Sequence, residues 1–384
     1  MHPRWQVRQA TLIGHNYHID QCAVFGNRAS GRLWCLFFGL LCWAGIHEVG
    51  IEGLLHYVDD AFNVTFNDNL TRYAPYNRCM PHDQVRFLSL LDQIGLPHKD
   101  KKQVYGEQLE IIGLLVDTRT LSISMSAEAK EKLAGAICNF ILNTPDNKCQ
   151  QSLRSWLRIL GYANWALNAF PILKPALNSS YDKVAGKTLL SQAVYINKEV
   201  RNDLLWFADS ALKLDGVCLF SAEEWSADED IQIWCDASKE GLGFWIPQIA
   251  CGFVGDAVVE DDLSFNIFFN EALTILAALH WSTSYHPIPL RLAIHTDSSN
   301  SFNVFNSLRA SGPYNTILMS AAATRIEHGI DLRVFFIEGK QNVIADALSC
   351  RTLDLVRKLV PDVIIRHFTP PISPDNSVMG ASLK

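Results

Sequence analysis

The stretch IQIWCDASKEGLGFW, residues Ile231–Trp245, decides the fold of the C-terminal third of the chain. Apolar residues recur at every second position from Ile231 to Cys235 and the run ends at Asp236, which is typical of a strand. A second, glycine-punctuated strand is predicted over Leu242–Ile246. The further predicted elements are a strand over Phe265–Phe269, a helix over about Asn270–Tyr285, a strand over Leu290–Ile294, two helical segments, a strand over Leu332–Ile337 and a helix over Val343–Ser349. This order predicts a mixed α/β layer domain.

Four carboxylates lie at the ends or starts of these predicted elements: Asp236, Glu271, Asp297 and Asp346. Asp236 and Asp297 each end an alternating strand, and adjacent strands place their ends side by side. Each residue alone is more often a helix cap or a solvated strand end. Four that converge from separate elements would suit a nuclease site with two metal ions.

A second acidic motif, Tyr57-Val58-Asp59-Asp60, interrupts an apolar run in the N-terminal third. Asp59 and Asp60 sit between residues of strand composition, which predicts a hairpin turned by two aspartates. An isolated pair of this kind is most often an Asp-rich turn. The flanking LLHY and AF lead us to expect a buried hairpin, in which the repulsion of the two carboxylates would be relieved by divalent cations.

Composition limits the class of protein. The 384 residues carry 33 Lys and Arg against 40 Asp and Glu, a formal charge of -7, and 48% are hydrophobic, so two or three domains with real cores are expected. The acidic balance argues weakly against a non-specific nucleic-acid binder. No C-x-x-C pair and no apolar leader occur in the sequence, which favours an intracellular protein that is not secreted. The most apolar run, Leu33–Ile46, is shorter than the roughly 20 residues that span a bilayer, so we expect a core helix and no membrane partner.

The motif YVDD resembles the catalytic box of reverse transcriptases, and the residues before it (Phe25-Gly26-Asn27-Arg28-Ala29-Ser30) resemble the substrate-binding motif of retrotransposon polymerases. Gly31 replaces the proline usual in that motif. Downstream residues up to a hairpin over 116–125 resemble later palm motifs. The resemblance is closest to gypsy-like and DIRS-like elements. It implies catalytic and metal-binding roles for Asp59 and Asp60 and substrate-binding roles for Phe25, Gly26, Arg28, Tyr57 and Lys102.

The C-terminal contexts WCDASKEGLGFW, FNEALTILAALHW, IHTDSSNSFNVF and EGKQNVIADALSCR resemble a retroelement ribonuclease H domain. This resemblance implies that Asp236, Glu271, Asp297 and Asp346 are catalytic ligands of Mg²⁺ (or Mn²⁺). Polymerases of the family also use a third aspartate on a palm strand upstream of the position of His2. We therefore expect an N-terminally truncated polyprotein fragment with weak or no polymerase activity.

These observations predict an α/β (α+β) protein with four segments: a partial reverse transcriptase palm over 1–125, a helical thumb or connection over 126–225, a ribonuclease H-like mixed sheet with helices over 226–352, and a flexible tail over 353–384. The expected activity is metal-dependent hydrolysis of RNA in RNA–DNA hybrids, with an RNA template and a DNA primer as further partners of an impaired polymerase. The alternative is an inactive retrotransposon relic that only binds nucleic acid or a partner. A third possibility is an active polymerase whose start lies further upstream.

Overall fold

The computed structural model describes residue 4 and residues 10–19, 28–65, 69–144, 148–218, 231–258 and 267–372. The chain divides into two compact units, Met1–Ile112 and Gly113–Lys384. Residues 113–125, which the sequence analysis grouped with the palm, belong to the second unit.

The first unit is built from short antiparallel hairpins and two helices. Its core is formed by one face of the first helix, the second helix and the hairpin between residues 70 and 81. The elements are β1 (Ala10–Ile13), β2 (Asn16–Ile19), α1 (Arg28–His47), β3 (Leu55–Tyr57), β4 (Asp60–Phe62), β5 (Leu70–Tyr73), β6 (Arg78–Pro81), α2 (His82–Gln93) and β7 (Gln108–Ile111).

Helix α1 is longer and more exposed than the sequence indicated. Phe38, Leu41 and Cys42 enter the core, whereas large apolar side chains such as Leu40 and Trp43 are exposed. The stretch Ala29–His47 has a mean hydropathy of 1.4, is 22% buried, and is the one helix of the described residues with the length and composition to cross a membrane. Core helices of soluble proteins and signal sequences have the same length and composition, so a single helix of this kind is weak evidence for a membrane span. The prediction of a core helix therefore holds for one face only.

The second unit begins with a small antiparallel sheet and a group of helices. Trp156 lies at the centre of their core, where its indole N–H donates to the carbonyl of Val194 (3.3 Å) and its ring meets Phe140 edge-on (5.1 Å between centroids). The predicted hairpin within 116–125 is observed. The elements are β8 (Leu114–Asp117), β9 (Ser122–Ser124), α3 (Ala127–Leu142), β10 (Gln150–Ser152), α4 (Leu153–Ala166), α5 (Asn178–Val184), β11 (Ala193–Tyr195), α6 (Lys198–Lys213) and β12 (Val217–Cys218).

A six-stranded mixed sheet follows, flanked by helices on both faces. Its elements are β13 (Ile231–Ala237), β14 (Leu242–Ile246), β15 (Cys251–Gly255), α7 (Ile267–Ser282), β16 (Arg291–Thr296), α8 (Ser299–Ser307), α9 (Pro313–His328), β17 (Asp331–Phe336), α10 (Val343–Ser349), α11 (Leu353–Leu359) and β18 (Ile364–His367). The strand order is β17-β16-β13-β14-β15-β18. The predicted α/β (α+β) class with a C-terminal mixed sheet is confirmed.

Two predicted elements are corrected. The third strand of the sheet is Cys251–Gly255 and not the predicted Phe265–Phe269. Ile267–Phe269 instead form the first turn of α7. Their apolar run is compatible with a strand or a helix, and they are helical because the apolar helix continues directly from them. Residues 353–372 were expected in a flexible tail, but they contain α11 and β18. β18 pairs in parallel with β15 (Cys251↔Ile364), so backbone pairing at the sheet edge orders this segment. Residues 373–384 lie outside the described residues.

The helical part of the second unit packs directly on the sheet domain through α9. Met319 and Ala322 of that helix join the core around Trp156. The side-chain amide of Asn178 donates to Asn315 Oδ1 (2.9 Å), and both residues are buried. Because buried amides need matched partners, this pair fixes how the two parts meet.

Gly243 in β14 allows helix α10, which carries Asp346, to lie against the sheet. A Cβ at Gly243 would stand 2.5 Å from the backbone nitrogen of Ser349 and 2.8 Å from the carbonyl oxygen of Ala345. Backbone atoms of a packed helix cannot yield as a side-chain tip can.

We therefore expect Gly243→Ala to destabilise the protein by about 2–3 kcal/mol, since α10 must move away from β14. Gly135→Ala in α3 is the matched control: its Cβ meets nothing within 4 Å, and alanine in a helix interior should stabilise by about 1 kcal/mol. Urea unfolding of both variants measures the effect. Equal stabilities would contradict the close approach of α10.

Candidate functional site

The four carboxylates singled out in the sequence meet at one end of the six-stranded sheet. β13 and β16 run parallel with Cys235 opposite Thr296, so the next residues, Asp236 and Asp297, emerge side by side. Glu271 reaches the same place from α7, and Asp346 from α10. Asp236, Glu271 and Asp297 are half-buried and Asp346 is exposed.

Three polar side chains donate hydrogen bonds to three of the four carboxylates. The Ser349 hydroxyl donates to Asp236 Oδ2 (2.5 Å), and the Ser298 hydroxyl donates to Glu271 Oε2. The Asn342 amide donates to Asp297 Oδ1 (3.3 Å) and to the carbonyl oxygen of Cys235 (3.0 Å). Sequence reasoning did not identify these three positioning residues.

A positional signal for them does exist in the sequence. Ser298 directly follows Asp297 and caps α8 by accepting from the N–H of Ser301, while Asn342 and Ser349 precede and follow Asp346 by four and three residues. One turn of helix separates the latter two from Asp346, so all three lie near one face.

Negative charge accumulates at this end of the sheet. The pKa of Asp236 is raised to about 7, chiefly by burial and also by the neighbouring carboxylates Asp297, Asp346 and Glu271, while the hydrogen bond from Ser349 opposes the shift. Burial and the charge of Asp297 also raise the pKa of Glu271, while Ser298 opposes the shift. The cluster therefore favours a bound cation or a proton.

The donor set has the chemistry of a site for a hard divalent cation. All four groups are carboxylates, and oxygen ligands of this kind suit Mg²⁺ or Mn²⁺. Among the described residues, no three His, Cys, Asp or Glu side chains are placed to hold one ion. The arrangement is one of converging carboxylates held on separate elements, and not a closed cage.

The YVDD motif forms the predicted hairpin, with Tyr57 paired to Asp60 across β3 and β4. Val58 adopts a left-handed backbone angle (φ 54°), rare for a β-branched residue, and its carbonyl accepts a hydrogen bond from the Trp34 indole (3.1 Å). The expectation of a buried hairpin is wrong: Tyr57, Asp59 and Asp60 are all exposed. Two short strands that pair only with each other leave their turn in solvent.

The remaining predicted substrate-binding residues are scattered or lie outside the described residues. Lys102 is exposed at the end of a short 3₁₀ turn, Asp100–Lys102. Arg28 begins α1, but its side chain lies outside the described residues, as do Phe25 and Gly26. Of the five predicted substrate-binding residues, Tyr57 and Lys102 are the two whose side chains are described, and both are exposed.

Comparison with known proteins gives similarity in structure and none in sequence. No protein-family model matches the chain, and no curated protein matches it in sequence. The fold is similar to the structure of the foamy viral protease–reverse transcriptase in complex with dsDNA, at 13% identity and a TM-score of 0.39. The match covers 97% of this chain and 65% of the viral chain, so this chain spans less than two thirds of that protein.

The charge cluster predicts a stabilising substitution. At neutral pH in metal-free buffer, we expect Asp236→Asn to raise the free energy of unfolding by about 1–2 kcal/mol, because it removes a half-buried carboxylate beside three others. The pKa of Asp236 in the folded protein lies above the ordinary value of 3.8. The ionised side chain therefore destabilises the folded state fully above about pH 7, and this destabilisation disappears as the pH falls toward 4. The gain from the variant should shrink over the same range.

Chemical denaturation at pH 8 and pH 4.5 measures this difference. Asp209→Asn is the control, because Asp209 is an exposed carboxylate of α6 beside Lys213. A loss of stability in Asp236→Asn at pH 8 would contradict the electrostatic account.

Proposed function

We propose that the protein hydrolyses the RNA strand of RNA–DNA hybrids in the presence of Mg²⁺ or Mn²⁺, with Asp236, Glu271, Asp297 and Asp346 as the metal-binding and catalytic residues. The convergence of these four carboxylates at one end of a mixed sheet carries the proposal. The motif resemblance of their contexts to retroelement ribonucleases H supports it, as does the unbalanced charge around Asp236.

In this proposal, Asp236 is the central residue, because all three of the other carboxylates lie close enough to raise its pKa. Bound divalent ions would supply a nucleophilic hydroxide and charge stabilisation for the leaving 3′ oxygen. Ser349, Ser298 and Asn342 hold Asp236, Glu271 and Asp297 in place through hydrogen bonds, as outer partners do in metal sites. The hybrid as substrate and an intracellular location belong to the same proposal.

Cleavage of a labelled RNA–DNA hybrid tests the function. We expect Asp236→Asn to lower the cleavage rate in Mg²⁺ about a hundredfold or more, since loss of one charged ligand would remove several kcal/mol of metal binding and charge stabilisation. Asp209→Asn should cleave like the unaltered protein. Cleavage by the Asp236→Asn variant at the rate of the unaltered protein would show that Asp236 is not a catalytic residue.

The alternative is a relic without catalysis. It predicts a folded protein that cleaves no hybrid in Mg²⁺ or Mn²⁺ and whose thermal midpoint does not rise when either ion is added. Binding of an ion to the native state alone must raise that midpoint. Stabilisation by metal together with cleavage would exclude the relic.

RNA-directed DNA synthesis is the weaker activity in this proposal. Asp59 and Asp60 are exposed on an isolated two-stranded hairpin, and no neighbouring strand of the described residues pairs with it to fix their position. A two-ion phosphoryl transfer needs a fixed ligand set.

We expect primer extension on an RNA template by the purified chain to be at background level. The Asp59→Asn, Asp60→Asn double variant should give the same signal. Template-dependent extension that this double variant abolishes would show instead that the YVDD hairpin is a working polymerase site.

A further inference from the structure

The exposed face of α1 carries a continuous stripe of large apolar side chains, which we call the α1 stripe. Its members are exposed by 37–64% and recur at the spacing of one helix face: Leu33, Leu36, Phe37, Leu40, Trp43 and Ile46. No Asp, Glu, Lys or Arg occurs between residues 33 and 46. The α1 stripe leaves roughly 600 Å² of apolar surface in water, which is the upper end of what a monomeric protein exposes in one patch.

The opposite face of α1 is fixed against the core of the first unit. Phe38 meets Phe87 of α2 edge-on, with 6.4 Å between ring centroids, and Leu41 is buried in the same core. A Cβ at Gly45 would lie 2.9 Å from a methyl carbon of Leu54, so the helix lies close against the segment before β3. Rotation of α1 would expose Phe38 and Leu41 in exchange for the α1 stripe. Burial of the stripe therefore requires an added partner.

The spacing within the α1 stripe is that of a helix packed along a second helix. Leu33, Leu36, Leu40 and Trp43 are separated by three, four and three residues, which is the a/d pattern of a coiled-coil seam. At 1.5 Å per residue this seam is about 15 Å long. A lipid surface is a poorer match, because helices that lie on membranes have a polar face rich in Lys and Arg, whereas the other face of α1 is packed in a protein core.

The charges at the two ends of the α1 stripe indicate which helix fits it. Arg32 and Glu48 are exposed, and neither forms an ion pair with the described residues. When two copies of α1 pack antiparallel about a twofold axis at the middle of the stripe, Leu36 of one copy faces Leu40 of the other. Arg32 then lies about one helical turn from Glu48 of the other copy, at both ends of the pair. Parallel packing would instead place like charges together at each end, so the charges favour the antiparallel pair.

From this pattern we propose that a second copy of this chain covers the α1 stripe, in a twofold dimer whose α1 helices pack antiparallel. A twofold interface uses the same patch on both copies, and the α1 stripe is complementary to itself in this arrangement. The two copies together would bury about 1,200 Å², which reaches the lower limit for a specific protein interface. The dimer is separate from the proposed hydrolysis and does not depend on it.

Sedimentation equilibrium of the full-length protein in detergent-free buffer tests the dimer. Because the buried area is near the lower limit, we expect a monomer–dimer equilibrium between about 1 and 100 μM. Leu40→Glu should weaken association about a hundredfold or more, since the twofold axis places two carboxylates in the apolar seam. Leu189→Glu is the matched control: Leu189 is 64% exposed against 60% for Leu40, and this variant should associate like the unaltered protein. Circular dichroism confirms the folding of both variants.

A charge exchange tests the antiparallel arrangement. Arg32→Glu should weaken association about fivefold, because it replaces attraction to Glu48 by repulsion at both ends of the pair. The double variant Arg32→Glu, Glu48→Arg should restore the affinity of the unaltered protein. Association strengthened by Arg32→Glu alone would indicate a parallel pair and would overturn the arrangement.

Two further results would overturn the dimer itself. One is a protein that stays monomeric over the whole concentration range, or a dimer whose affinity Leu40→Glu leaves unchanged. The other is a monomer that floats with phosphatidylcholine–phosphatidylserine vesicles and loses this binding in Leu40→Glu, which would assign the α1 stripe to a lipid surface. Each of these results is independent of the hybrid cleavage assay.

Discussion

The parallel pairing of β13 with β16 is the constraint on which the site depends. With Cys235 opposite Thr296, the chain emerges from both strands at the same level, and the next side chains are Asp236 and Asp297. Two carboxylates placed side by side repel one another, and burial strengthens that repulsion. The hydrogen bonds from Ser349 and Asn342 orient the two carboxylates that this pairing brings together.

Each of those hydrogen bonds orients a carboxylate but leaves its charge in place. Ser349, Ser298 and Asn342 are neutral donors, and none of them neutralises the cluster. Burial and the neighbouring carboxylates raise the pKa of Asp236, and the group that lowers it is the neutral hydroxyl of Ser349 rather than a lysine or arginine of the described residues. Retained, oriented and unbalanced charge is a feature of sites that bind ions, and it is unusual in a purely structural sheet end.

The sequence predicted what depends on periodicity and strand ends. Alternation through Cys235 and Ile294 located both strands, and their ends located Asp236 and Asp297. Sequence reasoning failed where packing decides. The exposed YVDD hairpin and the edge strand Ile364–His367 depend on which neighbours cover or pair with them, and local composition does not show that. Ser298, Asn342 and Ser349 were missed because serine and asparagine are common near helix ends for capping alone.

Asn342 connects the elements that build this end of the sheet. It directly precedes α10, which carries Asp346, and its side-chain nitrogen donates to Asp297 Oδ1 and to the carbonyl oxygen of Cys235 in β13. The residue is 1% exposed, and a buried amide that bonds to two elements restricts the movement of each relative to the other. Asn342 therefore ties the start of α10 to the ends of β13 and β16, so the position of Asp346 depends on the same strand pairing that places Asp236 and Asp297.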